Sequence, residues 1–214
     1  MSATNRGAAR VENDFYGTPE WCTNAIIKRL DLHRDTQILE PGCGTGAIVR
    51  RLEKQGYSCV TDIELDPVRG EQCNALIGDF LAGEPTEHCM DVAIGNPPYS
   101  LAMEFVQMSM RYAPCVVMLL RLNWLSSKGR ADFHRKHPAH VHVLEQRPSF
   151  CVSITCKLCK WHVSLDPAAA RHKACPVCHS ESKLSVVTTD ATEYAWFQWG
   201  GPGYVPGKWE ILAT

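Results

Sequence analysis

The sequence predicts an α/β fold with a doubly wound, mostly parallel sheet and a small cysteine-rich insertion. Segments with strand and helix patterns alternate from residue 20 to residue 120. The first strand runs into a glycine-rich turn that opens a helix. Two Cys-x-x-Cys pairs interrupt the alternation after residue 150, and another strand-like segment follows them. We therefore assign residues 1–150 and 186–214 to the main domain and residues 151–185 to an insertion.

Each element follows from its hydrophobic pattern and from the turn residues at its ends. The predicted helices are Glu20–Leu30, Ala47–Gln55 and Ala102–Tyr112. The predicted strands are Thr36–Glu40, Tyr57–Ile63, Ala75–Ile77, Asp91–Gly95, Cys115–Leu120 and Glu193–Trp199. The first helix has a broad apolar face, whereas the fifth strand is continuously apolar, which is typical of a buried strand.

The composition is that of an ordinary soluble globular chain, with 214 residues, 45% of them hydrophobic and 21% charged. The formal net charge is -1, so contact with nucleic acid would need a local basic patch. The longest apolar runs are too short to span a bilayer, and residues 1–10 lack the apolar core of a signal peptide. We therefore expect a cytoplasmic protein, and the odd number of cysteines, 11, argues against a complete disulfide framework.

The glycine-rich turn predicts a binding site for a small ligand at the carboxyl edge of the sheet. Residues 38–46 read Ile-Leu-Glu-Pro-Gly-Cys-Gly-Thr-Gly, and glycines there let the backbone approach a ligand closely. The run lacks the Lys-Ser/Thr of a P-loop and the spacing of the dinucleotide fingerprint. Glu40 favours an amino-bearing or cationic ligand over a pyrophosphate, and Asp62 is placed to bind ribose hydroxyls. A tight structural turn with surface acids is the alternative.

The same run resembles motif I of class I S-adenosylmethionine-dependent methyltransferases, whose sheet is Rossmann-like. The resemblance implies the methionine moiety near Glu40 and Gly42–Gly44 and the ribose at Asp62, with Glu64 as a competing ribose ligand. Gly78-Asp79-Phe80-Leu81 resembles the family's Asp-Phe segment, whose carboxylate accepts from the cofactor's adenine amino group and whose ring packs on the adenine. The implied cofactor-binding residues are Tyr16, Thr18, Pro19, Glu40, Pro41, Gly42, Cys43, Gly44, Asp62, Asp79, Phe80 and Asn96.

The loop Asn96-Pro97-Pro98-Tyr99 predicts methyl transfer to an exocyclic amino nitrogen. Such a nitrogen is a poor nucleophile because its lone pair is delocalised into the ring. The Asn96 side-chain oxygen and the Pro97 carbonyl can accept its two hydrogens, and the two prolines hold these acceptors rigid. A flipped base can stack on Tyr99, a contact worth about 1–3 kcal/mol. The alternatives are a proline-rich turn and a nucleophilic Cys115, which is disfavoured because it opens an apolar strand.

Adenine in double-stranded DNA is the predicted substrate. Phe15-Tyr16-Gly17-Thr18-Pro19 resembles the segment before motif I in DNA amino methyltransferases, although Thr18 and Pro19 also suit the N-cap and first residue of a helix. Enzymes that methylate N4 of cytosine more often carry Ser in place of Asn96. Arg147–Phe150 and Glu193–Trp199 resemble small phage-encoded adenine methyltransferases. An amino methyltransferase of RNA adenine or protein glutamine and a non-catalytic nucleic-acid-binding module are the alternatives.

Recognition of the DNA is expected after residue 120, because only 16 residues separate Phe80 from Pro97, too few for a recognition domain. The later region is locally basic with aromatic residues between the charges, which suits phosphate contacts and base stacking. A solvated helix face is the alternative for each of these residues. The candidate DNA-binding residues are Arg121, Asn123, Trp124, Lys128, Arg130 and Arg147.

Four cysteines predict a structural zinc ribbon in the insertion. Cys156-x2-Cys159 and Cys175-x2-Cys178 are separated by 15 residues, a spacing that can place four thiolates tetrahedrally around one zinc ion. With no open coordination position, this zinc would be structural. The ribbon departs from the family pattern, and we expect it to stiffen a loop that reaches the DNA. A protein-docking module and reactive or disulfide-paired cysteines are the alternatives.

Overall fold

The computed structural model describes residues 17–85, 87–150, 152–165, 174–181, 184–187 and 192–213. The predicted cofactor contact of Tyr16 therefore lies outside the described residues. The helices are Glu20–Leu30 (α1), Ala47–Lys54 (α2), Pro67–Gly70 (α3), Ala102–Tyr112 (α4) and Ala131–Lys136 (α5). The strands are Ile38–Pro41 (β1), Val60–Glu64 (β2), Leu76–Ile77 (β3), Val92–Gly95 (β4), Cys115–Arg121 (β5), His140–Leu144 (β6), Val152–Cys156 (β7), His162–Leu165 (β8), Leu184–Val187 (β9), Tyr194–Trp199 (β10) and Trp209–Leu212 (β11). Within these ranges, no helix has the length and apolar character needed to cross a membrane.

Eight of the strands form one sheet in the order β11-β6-β10-β5-β4-β1-β2-β3. β10 is antiparallel to both of its neighbours, and the other adjacent pairs are parallel. β7, β8 and β9 form a separate antiparallel sheet with β7 in the middle. The predicted α/β fold with a mostly parallel sheet is therefore confirmed.

β10 shows how the core is built, because all six of its residues are buried. Tyr194 and Trp196 pack into the cluster formed with α1 and α2, whereas Phe197 and Trp199 pack into the cluster formed with α4. This alternation follows from the two-residue period of a strand. The indole Nε1 of Trp196 donates to the carbonyl of Cys22 at 3.0 Å, so its one polar atom is satisfied inside the core.

β6 and β11 were not predicted from the sequence, and a buried polar network explains why. His142 contacts Glu210 of β11 (Nδ1–Oε1, 2.9 Å) and Gln198 of β10 (Nε2–Oε1, 2.8 Å). Arg29 of α1 donates to the same Glu210 oxygen at 2.7 Å. His140 and His142 are completely buried. The partners that make this burial tolerable are far apart in the chain, so the local hydrophobic pattern cannot indicate the strand.

The carboxyl edge of the parallel strands carries the features predicted to be functional. β1 ends at the glycine-rich turn, β4 ends before Asn96, and β5 ends at Arg121. Because β10 runs in the opposite direction, it begins at this edge, where Tyr194 pairs with Arg121. β6 is parallel to β5 and ends at the same edge. The chain leaves for the three-stranded sheet after β6 and returns at β10, so both connections lie at this edge.

Candidate active site

The glycine-rich turn bends the chain sharply from β1 into α2. Gly42, Gly44 and Gly46 have φ values of 66°, 59° and 75°, a region that side chains rarely adopt. A Cβ atom on Gly42 would lie 3.2 Å from Phe105 Cε1, so the turn is also closely packed. The amides of Gly42 and Cys43 both donate to the carbonyl of Ile63 at the end of β2, at 2.8 and 3.1 Å. These bonds fix the turn against the neighbouring strand.

Three carboxylates surround this turn. Glu40 is 2% exposed and accepts from the amide of Val49 in the first turn of α2 at 2.9 Å. Burial, together with the negative charge of Asp62, raises the pKa of Glu40 well above its usual range. Glu64 accepts from the amide of Gly44 at 2.7 Å. The turn is therefore an acidic cradle, as the sequence predicted for a cationic or amino-bearing ligand.

Asp62 and Glu64, the two candidate ribose ligands, occupy different surroundings. Asp62 pairs in register with Glu40, and its carboxylate lies within 4.8 Å of the thiols of Cys43 and Cys73. Glu64 is the last residue of β2, where it contacts the turn through Gly44. The end of the strand is the position from which a side chain reaches a ligand at the sheet edge.

The Asp-Phe segment is divided between the surface and the core. The Asp79 carboxylate accepts from the amide of Leu81 at 2.9 Å and so caps a short 3₁₀ turn. Phe80 is 4% exposed, and its ring lies 5.3 Å from that of Phe105 and 5.4 Å from that of Tyr112. Its ring therefore belongs to the core packing instead of offering an open face.

Apolar side chains near Asp79 were missed by the sequence reasoning. Glu64 pairs with Ile77 at the ends of β2 and β3, and the amide of Gly78 donates to the carbonyl of Glu64 at 2.9 Å. Leu65 and Asp79 therefore follow the paired ends of these two strands. Leu65 and Ile77 are 66% and 51% exposed. The sequence carries no signal for them, because the exposure of an apolar side chain at a strand end depends on the packing around it.

In the Asn96-Pro97-Pro98-Tyr99 loop, the asparagine is held by a residue from the start of the chain. Asn96 Nδ2 donates to Thr18 Oγ1 at 3.1 Å, and Thr18 is 6% exposed. The Asn96 oxygen Oδ1 is buried, as is Pro97. The predicted N-cap role of Thr18 is wrong: α1 begins at Glu20, Pro19 holds the N-cap position, and no side chain caps the helix. The Thr18 hydroxyl instead orients Asn96.

Tyr99 lies among aromatic and cationic side chains. The guanidinium carbon of Arg121 is 4.7 Å from the centre of the Tyr99 ring. The rings of Tyr99 and Tyr194 are 5.7 Å apart, and Phe150 meets Tyr194 edge-on at 4.9 Å. Arg121 was predicted to contact DNA, and the structure places its guanidinium beside Tyr99 of the Asn96-Pro97-Pro98-Tyr99 loop.

Only some of the other predicted DNA-binding residues lie at the surface. The base contact predicted for Trp124 is wrong, because its ring is 6% exposed and packs edge-on against Phe197 and Trp199. Arg130 donates to the Trp124 carbonyl at 2.7 Å, so it stabilises the local turn. The remaining candidates are at the surface: Asn123 and Lys128 are exposed, and Arg147 forms an exposed ion pair with Glu193.

The four cysteines of the insertion meet at one point. The Sγ–Sγ distances are 3.5 Å for Cys156–Cys178 and 3.5 Å for Cys159–Cys175, and all four sulfurs lie within 4.8 Å of one another. Zn–S bonds of about 2.3 Å place the sulfurs of a tetrahedron about 3.8 Å apart. A disulfide would need a separation of about 2.05 Å. The described geometry therefore fits a tetrahedral zinc ion and does not fit disulfides.

The backbone of the two Cys-x-x-Cys turns follows one pattern. The backbone amide of Lys160 donates to the carbonyl of Cys156 at 3.0 Å, and the backbone amide of His179 donates to the carbonyl of Cys175 at 2.8 Å. Lys160 and His179 have φ values of 63° and 56°. Backbone N–H groups, that of Cys159 first, lower the pKa of the Cys156 thiol to about 6. The pKa is lowered for the first cysteine of each turn, Cys156 and Cys175, and raised for the second, Cys159 and Cys178. The repeated turn is the form expected of a metal knuckle.

Comparisons with known proteins were made by sequence and by fold. No family model matches the chain. Over 97 residues the chain is 30% identical to a type II methyltransferase of Paramecium bursaria Chlorella virus XZ-6E, and this match covers 42% of the chain and 25% of that protein. The chain thus spans about a quarter of the length of this relative.

Solved structures resemble most of the described chain. A provisionally assigned RNA methyltransferase from Pyrococcus horikoshii has a TM-score of 0.53 with 15% identity, covering 87% of both chains. The modification subunit of a provisionally assigned type I restriction enzyme from Vibrio vulnificus YJ016 has a TM-score of 0.55 with 11% identity, covering 94% of this chain and 47% of that one. At these identities the likeness concerns the fold. The chain has the Rossmann-like fold of S-adenosylmethionine-dependent methyltransferases.

Proposed function

We propose that the protein transfers a methyl group from S-adenosylmethionine to N6 of an adenine flipped out of double-stranded DNA. The placement of Asn96 carries the proposal: its amide is held by Thr18, and it follows β4, the strand beside β1 and the glycine-rich turn. Methylation of a weak amino nucleophile needs an acceptor fixed next to the methyl donor. The similarity to a viral type II methyltransferase supports a nucleic-acid substrate.

The acidic cradle fits the cofactor at its methionine and ribose end. The carboxylates of Asp62 and Glu64 favour positive charge, and the sulfonium and amino groups of the cofactor are cationic. Glu40 adds a polar side chain that burial and Asp62 hold toward its neutral form, because they raise its pKa well above its usual range. We assign the ribose hydroxyls to Glu64, because its carboxylate lies at the strand end and already contacts the turn at Gly44. Asp62 then acts through the charge that it adds to the cradle.

The neighbouring strand ends fit the adenine end of the cofactor. Asp79 offers a carboxylate that can accept from an exocyclic amino group. Leu65 and Ile77 offer the exposed apolar surface on which a purine ring can pack. These two side chains take the role that the sequence analysis gave to Phe80, whose ring is buried between Phe105 and Tyr112.

The chemistry assigned to the loop is positioning. S-adenosylmethionine, when bound, supplies an electrophilic methyl carbon on sulfur. Asn96 Oδ1 and the Pro97 carbonyl oxygen accept the two N6 hydrogens, which frees the nitrogen lone pair. That lone pair forms the N–C bond while the C–S bond breaks, and N6 then releases one proton. Tyr99 holds the flipped base by stacking, and the prolines keep both acceptors in place before the base arrives.

A covalent route through Cys115 does not fit this geometry. Cys115 begins β5 and pairs with Val92, the first residue of β4, so it lies at the amino end of both strands. Asn96 follows the other end of β4, four residues after Val92, which corresponds to about 13 Å. Burial raises the pKa of the Cys115 thiol to about 12. Direct displacement at the Asn96 loop is therefore the mechanism that we propose.

The test is transfer of labelled methyl from S-adenosylmethionine to unmethylated DNA, followed by analysis of the nucleosides. We expect the label in N6-methyladenine with the intact chain, its loss with Asn96→Ala, and its retention with the control Cys115→Ala. Cofactor affinity, measured separately, should survive in Asn96→Ala. Label in 5-methylcytosine that depends on Cys115 would overturn the mechanism.

Two other outcomes would redirect the proposal. If the cofactor binds but no label enters DNA, structured RNA and glutamine-containing protein become the substrates to test with the same pair of variants. If the cofactor does not bind, the acidic cradle is vestigial and the chain is a binding module.

A further inference from the structure

The connections into the insertion, residues 151–185, which we call the ribbon, contact the loop Asn96–Tyr99, which we call the target loop. Arg147, after β6, forms an ion pair with Glu193, just before β10, so the two connections are joined. Phe150 packs against Tyr194, and Tyr194 packs against Tyr99. These two connections form the stem of the ribbon, and Tyr194 beside them is buried, with 2% of its surface exposed. The base of the ribbon is therefore continuous with the ring proposed to hold the flipped base.

The ribbon differs in charge from the rest of the chain. Residues 151–185 contain five basic and two acidic residues, a formal charge of +3 with neutral histidines. The rest of the chain contains seventeen basic and twenty-one acidic residues, a formal charge of -4. Four thiolates around one Zn²⁺ add -2 to the ribbon, which remains positive. The ribbon and residues 121–150, which contain six basic and two acidic residues, are therefore the parts of the chain that attract a polyanion.

The knuckle tips carry the exposed groups of the described part of the ribbon. Lys157 and Lys160 are exposed, and Leu158 and Val177 are 64% and 61% exposed. The two tips lie side by side because their cysteines meet within 4.8 Å. Lys157 and Lys160 flank Leu158 in the first knuckle, an arrangement that suits phosphate contacts beside an apolar wedge.

We infer that the ribbon binds the DNA duplex beside the flipped adenine, with Lys157 and Lys160 contacting phosphates and the stem through Phe150 and Tyr194 fixing its position relative to Tyr99. This inference rests on the proposed function, because it takes DNA as the substrate. Its own grounds are charge complementarity and the continuity of the stem with the target loop. It assigns to the ribbon a role in substrate affinity that is separate from methyl transfer.

The test compares Lys157→Gln/Lys160→Gln with the control Lys28→Gln/Lys54→Gln, which removes the same charge from exposed positions on α1 and α2. Binding of a labelled duplex is measured by fluorescence anisotropy at several salt concentrations. The ribbon variant should bind about tenfold more weakly, and its slope of log affinity against log salt should decrease by about 1.8. Its zinc content, its cofactor affinity and its methyl-transfer rate at saturating DNA should match those of the control.

The outcomes separate the two proposals. Weaker binding by the ribbon variant, with no N6-methyladenine from any form, supports the ribbon inference and refutes the proposed reaction. Normal methylation, with the same affinity and salt slope in the ribbon variant as in the control, refutes the ribbon inference and leaves the reaction standing. Absence of DNA binding by the intact chain refutes both.

Discussion

Replacing Thr18 by valine should slow methyl transfer without weakening cofactor binding. Thr18 Oγ1 accepts from Asn96 Nδ2 at 3.1 Å, and Thr18 is 6% exposed. Valine keeps the shape of the side chain and removes the acceptor. The Asn96 amide then loses the contact that distinguishes its nitrogen from its oxygen, so Oδ1 is no longer held toward the substrate in every molecule.

The size of the effect follows from the energy of that contact. A neutral hydrogen bond contributes about 0.5–1.5 kcal/mol, and a buried donor that loses its acceptor costs about 1–3 kcal/mol. If this energy is lost in the transition state, each 1.4 kcal/mol reduces the rate about tenfold. We therefore expect kcat to fall about 5- to 100-fold. Thr18→Ser keeps the hydroxyl and should remain within about threefold of the intact chain.

The assay is steady-state methyl transfer at saturating DNA, with the cofactor Kd measured by calorimetry. A lower kcat with an unchanged Kd identifies Thr18 as a positioning residue for Asn96. A higher Kd with an unchanged kcat would show instead that Thr18 contacts the cofactor, as the family resemblance implies. An unchanged kcat in Thr18→Val would refute the argument that this hydrogen bond orients the catalytic amide.

Three further predictions concern the cradle, the ribbon and pH. Glu64→Gln should weaken S-adenosylmethionine binding at least tenfold, because a charged acceptor is lost. Asp62→Asn should have a smaller effect. Equal losses of affinity in the two variants, measured by calorimetry, would contradict our assignment of the ribose to Glu64. Cys159→Ser should abolish the single zinc ion measured by metal analysis and leave cofactor binding intact, whereas retained zinc would exclude the four-cysteine site. Stability, measured as the urea midpoint, should fall as the pH drops below about 6.5. Burial lowers the folded pKa of His142, so the unfolded chain takes up that proton first. The loss should continue below about 4.5, because Lys208 and Arg29 lower the pKa of Glu210 to about 2. Glu210→Gln should reduce this second loss and keep the one that begins near 6.5, whereas an unchanged loss below about 4.5 would contradict the assignment to Glu210.

The fold could be predicted wherever the local pattern is sufficient. α1 and α4 begin and end at the predicted residues, because each has a clear helical period and is bounded by turn residues. The segment of β10 was also recognised as a strand. Its antiparallel direction and its position between β5 and β6 were not, because they depend on pairing with residues far along the chain, such as Trp196 with Leu119.

The same distinction applies to the site. The convergence of the four cysteines could be predicted because metal ligation requires residue types at a fixed spacing. Trp124 and Phe80 were misjudged because an aromatic residue in a polar segment suits either a ligand contact or the core. Partners such as Phe197 and Tyr112, which are distant in sequence, decide between them. The role of Thr18 in holding Asn96 was equally invisible, since 78 residues separate the two.

The proposed function places two opposing electrostatic demands on this edge of the sheet. In the proposed function, the negative charge of Asp62 and Glu64 stabilises a cationic methyl donor, but the same charge repels the phosphates of an approaching duplex. Screening reduces this repulsion over about 8–10 Å at physiological salt. A cationic cofactor and an anionic duplex can therefore both be bound if the acidic and basic residues are separated in space. Basic residues are concentrated in residues 121–150 and in the insertion between β6 and β10, which are separated in the sequence from the acidic residues of the cradle. Added salt should therefore weaken DNA binding while affecting cofactor affinity far less, because phosphate contacts are exposed and the cradle is buried.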